Sequence, residues 1–109
     1  MSLRLTLLSH GATDATRKAT FPIDEPLEPR AYKKAASFAE SLERTDAAWT
    51  SPALRAVQTA EALGLDASVD PLLKDIDLGR WAGMSLSALA ACEPTALADW
   101  TNNPSSTPH

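Results

Sequence analysis

At 109 residues with a net charge of −4 and a single cysteine, the chain has room for one small domain. It cannot build an internal disulfide framework, and it carries no clustered basic stripe for nucleic acid, so polyanions are excluded as partners. No apolar run of the length that spans a bilayer and no leader pattern is present, so the expected setting is the cytoplasm, without a membrane partner.

Leu3 to Leu8 mixes alternation with a continuous apolar end, which predicts a strand covered on both faces. Ser9, His10 and Gly11 follow directly. A histidine at the carboxyl end of such a strand sits where open α/β sheets place their chemistry. Asp14 to Glu28, with Pro22, Pro26 and mixed charge, lacks a helical period and reads as a surface loop. From Pro29, the stripe Ala31, Ala35, Phe38 and Leu42 predicts a helix entered through proline. Ala47 to Thr50 is a short strand. Ser51-Pro52 marks a helix start with Ser51 as N-cap, and Gly64 marks its stop. Ala67 to Val69 is a third strand, and Leu72 to Gly83 a loop. Ser85 caps a helix to about Glu93, Pro94 breaks it, and a further helical turn carries Leu97 and Trp100 before a polar tail. Cys92 is expected to be a small buried hydrophobe on the preceding helix. Strands alternating with helices predict an α/β fold with a mostly parallel sheet and helices on both faces.

Three stretches carry chemistry: Ser9-His10-Gly11-Ala-Thr13-Asp-Ala-Thr16, then Ser51-Pro-Ala-Leu-Arg55-Ala-Val-Gln58-Thr59-Ala60, then Leu73-Lys-Asp75-Ile-Asp77-Leu-Gly79-Arg-Trp81-Ala-Gly83. In this order the chain resembles the histidine phosphatase superfamily, with its phosphoglycerate-mutase-like three-layer fold. The resemblance implies a domain incomplete at its carboxyl end, with residues 1–109 as the N-terminal portion of a larger domain. The other arrangement is a half-domain completed by a second copy through strand exchange, a homodimer.

The resemblance implies a phosphatase acting on a small phosphorylated substrate. His10 would be the nucleophile that forms a phosphohistidine, Arg55 the bidentate phosphate ligand, and Asp75 the proton donor, with Asp77 its rival. Neutral imidazole is a competent nucleophile near neutral pH, and glycine at position 11 leaves room for a phosphate to approach. The planar guanidinium fork suits phosphate oxygens, and the first turn of a helix attracts anions. Gly11, Thr16, Arg17 and Ser9 complete the expected phosphate-binding set. No cofactor and no metal site is expected, and His109, in the polar tail, is given no role.

The departures from the family pattern are specific. Ser9 stands where the family has arginine, Thr16 where it has asparagine, and Ala82 where it has glutamate. Arg17 is the candidate to fill the volume left by the missing arginine. Two alternatives to a phosphatase follow: a weakened pseudoenzyme serving as an anion-binding or interaction module, and a mutase that returns the phosphoryl group to its substrate.

Overall fold

The computed structural model describes residues 3–105. The chain forms α1 (Asp14–Lys18), α2 (Pro29–Phe38) running into a 3-10 turn, β1 (Trp49–Thr50), α3 (Leu54–Ala62), β2 (Ser68–Val69), two further 3-10 turns, α4 (Leu86–Cys92) and α5 (Pro94–Asn102). Strands β1 and β2 are parallel, Trp49 opposite Ser68 and Thr50 opposite Val69, with α3 as the crossover between them. The fold is α/β and incomplete relative to the three-layer architecture. It is also thin: its smallest extent is 18 Å, and its radius of gyration is 16.3 Å, whereas about 13 Å suits a compact domain of this length.

The sequence patterns act locally where a helix carries its own signals. Pro29 occupies the first turn of α2, and Ala31 is the residue that α2 buries. Helix α3 ends in a Schellman arrangement: Gly64, at φ +73, donates to the Glu61 carbonyl, and Leu65 donates to that of Ala60. Ser85 caps α4 by accepting the N–H of Ala88 at 3.1 Å.

Four expectations are corrected. Leu3 to Leu8 does not form a strand: no ladder pairs it among the described residues, and Leu3, Leu5 and Leu7 are 98, 75 and 84% exposed. Alternation encodes a face, and a face becomes a strand only beside another strand. The loop expected over Asp14 to Glu28 contains α1, held by a capping box in which Thr13 and Thr16 satisfy each other's backbone N–H groups. The N-cap of α3 is Ala53 rather than Ser51. The N–H of Leu54 is satisfied from outside the helix, by Asp24 Oδ1 at 2.8 Å. Cys92 is exposed at the end of α4, not buried.

The best-packed core centres on Trp81 and Leu89, both fully buried, with Leu78 beside them and Phe21, Leu97 and Trp100 around them. Phe21 stacks on Trp81 at 6.3 Å between centroids, and Trp100 meets both rings edge-on at 5.8 Å. Phe21 is held there by two backbone hydrogen bonds, donating to Met84 and accepting from Gly83. These bonds fix the Pro22–Asp24 loop beside the segment around Asp75.

Glu93 ties this core to charge. Its carboxylate accepts the Trp81 indole N–H at 3.0 Å and pairs with Arg80, at the junction of α4 and α5. The hydrogen bond from Arg80 chiefly holds the Glu93 carboxyl below its ordinary value, opposed by desolvation, with the Trp81 indole adding a smaller lowering effect. Because the folded value is lowered, the contribution is complete at neutral pH and is lost as pH falls below the ordinary carboxylate range. Replacing Glu93 with Gln should flatten the acid limb of thermal stability read by tryptophan fluorescence. An acid limb identical to that of the unsubstituted chain would refute this coupling.

Candidate functional site

The site is assembled around the N-terminal end of α3. The Gly11 N–H donates to Thr59 Oγ1 at 3.0 Å, and the Thr59 hydroxyl donates to the Arg55 carbonyl at 2.7 Å. The residue next to Thr59, Gln58, accepts the Leu27 N–H through its Oε1 at 2.8 Å. Leu27 bridges Thr13 in antiparallel fashion, and Glu28 donates to the Ala12 carbonyl. The loop from Gly11 to Glu28 is thus fastened to α3 at both of its ends.

His10 is exposed, with Nδ1 2.6 Å from the Gly11 carbonyl oxygen. A carbonyl only accepts, so in the neutral ring Nδ1 carries the proton and Nε2 keeps its lone pair. Gly11 itself has a packing reason: a Cβ there would meet Ala31 Cβ and Leu27 Cδ2, each at 3.3 Å. Its missing side chain faces an apolar wall, and its N–H is already given to Thr59.

Arg55 is 8% exposed, the second residue of α3. Its guanidinium reaches the Ile23 carbonyl at 3.5 Å and Asp75 Oδ2 at 3.8 Å. Both contacts are long for a buried cation, and the positive end of a helix dipole adds no compensation. Arg55 lines a cleft of about 410 Å³ together with Asp24, Lys74, Asp75 and Asp77. Asp75 is largely exposed there, its Oδ1 accepting the N–H of Ile76 at 2.8 Å. Asp77 Oδ1 is taken by the Gly79 N–H at 2.9 Å.

The other expected residues are occupied or peripheral. Thr16 is exposed, and its hydroxyl serves the cap of α1. Arg17 is bound by two carboxylates, Glu28 Oε1 at 2.7 Å and Asp14 Oδ1 at 2.8 Å. Glu28 first, then Asp14, raise its already high pKa. Moving it to an anion would break both pairs. Ser9 is exposed beside His10. The structure therefore brings Arg55, Asp75 and Asp77 into one cleft and anchors the His10–Gly11 segment to the same helix. Sequence reasoning missed two members of this arrangement, Asp24 and Lys74. Asp24 carries no local signal because it reaches the site through a contact between distant segments, whereas Lys74 adjoins Asp75 in the third stretch. His109 lies outside the described residues. Among those residues no group of three His, Cys, Asp or Glu side chains is placed to hold a metal ion, and no helix is long and apolar enough to cross a membrane.

Comparison with known proteins identifies the family and the fold. The family described as the histidine phosphatase superfamily, branch 1, matches residues 5–109. Among solved structures, a mycobacterial glucosyl-3-phosphoglycerate phosphatase in complex with VO3 is 29% identical with a TM-score of 0.79, over 92% of this chain and 54% of that one. Mycobacterial hydrolase 1 is 28% identical with a TM-score of 0.77, over 92% of this chain and 52% of its own. A protein from Escherichia coli described as a candidate alpha-ribazole-5'-P phosphatase shares the fold at 22% identity and a TM-score of 0.77, over 86% of this chain and 50% of that one. The chain spans about half the length of these relatives. No curated protein matches it.

Proposed function

We propose, since this chain belongs to the histidine phosphatase superfamily, that it hydrolyses a small phosphomonoester through a phosphohistidine on His10. The observation that carries this reading is the buried guanidinium of Arg55, incompletely partnered in a cleft that also holds the Asp75 carboxyl. A phosphate would give that cation the charge-assisted bonds it lacks. The activity named for the 29% identical relative, removal of phosphate from a glucosyl-3-phosphoglycerate, belongs to the same class of reaction.

In the proposed sequence, Nε2 of His10 attacks phosphorus while the bond to the ester oxygen breaks. Asp75, in its protonated form, gives its proton to the departing alkoxide. Water then attacks the phosphohistidine, the Asp75 carboxylate takes its proton, and His10 and phosphate are released. The hydrogen bond from Nδ1 to the Gly11 carbonyl holds the ring in the tautomer this needs. Arg55 carries the charge on the equatorial oxygens. The exposed Ser9 hydroxyl supplies a neutral donor where the family has a cation. Thr16 and Arg17 enter only if the cap of α1 and the two ion pairs are given up.

Exchanging Arg55 for lysine keeps the charge and removes the fork. Vanadate affinity and p-nitrophenyl phosphate turnover should each fall by about ten- to a hundredfold, the scale of losing one strong donor. Unchanged vanadate binding and turnover in this variant would remove Arg55 from the site. One observation favours the second reading, an anion-binding module without turnover: Ser9 replaces a full positive charge next to the nucleophile. Vanadate binding without any phosphate release would select it.

A further inference from the structure

We propose that Thr59 is a positioning residue that fixes the His10–Gly11 segment against the helix bearing Arg55. The proposal rests on the reading of His10 as nucleophile.

Thr59 is 9% exposed on α3, one turn after Arg55. The directions of its two hydrogen bonds are fixed by chemistry. A backbone N–H only donates and a carbonyl only accepts, so the hydroxyl receives the proton of Gly11 and gives its own to Arg55. Its donor and acceptor capacities are thus used at once, one on each half of the site.

A threonine inside a helix commonly bonds back to the carbonyl four residues earlier, and that bond alone would be local. The bond from Gly11 spans 48 positions of sequence and reaches the peptide that links Gly11 to His10. That contact orients the plane of the peptide. The next carbonyl, that of Gly11, receives the His10 ring at 2.6 Å. A Cβ at this position would meet Ala31 and Leu27 at 3.3 Å, so the segment lies against an apolar wall that leaves no room for a side chain. The reference point for the imidazole is therefore a hydroxyl on α3, and the same hydroxyl is tied to the backbone of the phosphate-binding arginine. Spacing between nucleophile and anion ligand is set through one side chain.

The test compares Thr59→Val, which keeps shape and removes the hydroxyl, with Thr59→Ser, which keeps the hydroxyl. Thr59→Ala replaces the valine variant where circular dichroism shows that valine does not fold. With p-nitrophenyl phosphate, kcat should fall about ten- to a hundredfold in Thr59→Val, the scale of a misplacement near 1 Å, with KM held within about twofold. Thr59→Ser should return to within about threefold of the unsubstituted chain. Nitrogen-15 shifts of the His10 ring, assigned with His10→Ala, should show the Nδ1–H tautomer in the unsubstituted chain and in Thr59→Ser. In Thr59→Val they should show a mixture. Equal kcat in Thr59→Val and the unsubstituted chain overturns the proposal, as does Thr59→Ser being as impaired as Thr59→Val, because packing would then be the cause. Absence of turnover in the unsubstituted chain defeats the phosphatase reading instead. The ring shifts then decide Thr59 alone, and an unaltered Nδ1–H signal in Thr59→Val overturns its role.

Discussion

Replacing His10 with alanine should lower p-nitrophenyl phosphate turnover by about a thousandfold or more and abolish any acid-labile phosphorylated protein trapped by rapid quenching. The size follows from what the side chain is asked to do. Without an imidazole the covalent path is closed, and water would have to attack a phosphate held only by Arg55 and neighbouring neutral donors. Residual turnover from electrostatic holding alone would remain, as it does in enzymes stripped of their nucleophile. Stability should change little, because the ring is exposed and its hydrogen bond is to the adjacent carbonyl. Turnover in His10→Ala equal to that of the unsubstituted chain would refute the phosphohistidine route. If both proteins released phosphate only at the background rate while binding vanadate equally, an anion-binding cleft and nothing more would remain.

The largest expected loss of stability comes from Trp81→Ala, about 3–5 kcal/mol, the usual range for deleting a buried aromatic residue. Trp81 is fully buried, stacked on Phe21 and met edge-on by Trp100. Its indole N–H also satisfies a carboxylate of the Arg80–Glu93 pair. The substitution removes ring contacts on two sides and leaves part of Glu93 without its donor. Urea unfolding followed by circular dichroism should show a lower midpoint with a similar slope. A shift below about 1 kcal/mol would mean that the surroundings collapse into the space, contrary to the cavity-forming behaviour typical of such cores. Because Phe21 carries the Pro22–Asp24 loop, the same variant should also loosen the wall of the cleft that faces Asp75.

What was legible in the sequence followed the range of the interactions involved. The caps at Pro29, Gly64 and Ser85 act within a turn of their own helix, and the structure has them where they were read. Strands β1 and β2 fall inside the segments expected for them, shortened to two residues each. The placement of Arg55 on the first turn of α3 could be read from Ser51-Pro52 even though the cap itself could not. The Leu54 N–H at that end is satisfied by Asp24 Oδ1, thirty positions away, and no local pattern announces an acceptor brought in by folding. The strand over Leu3 to Leu8 failed for the complementary reason. Its periodicity states which neighbours it needs, and among the described residues no strand pairs with it. Helix α1 escaped because five residues hold too little apolar period to register, and its signal lay instead in the Thr13 and Thr16 pair. Motif position singled out Arg55, which the structure buries at the cleft, whereas the engagement of Arg17 by Glu28 and Asp14 belongs to tertiary structure.

The stitching of α3 has a mechanical corollary. Asp24, Leu27 and Gly11 are each pinned to the same nine-residue rod, by Leu54, Gln58 and Thr59 in turn. A push on any one of them is shared by the others. Were an anion to draw on the guanidinium near the rod's leading end, the Asp24 bank of the cleft and the imidazole's own footing would travel as one block. Adjustment to a larger or smaller cargo would then come from the opposite shore, the Lys74 to Asp77 stretch, which meets the rod's guanidinium through the long Asp75 contact.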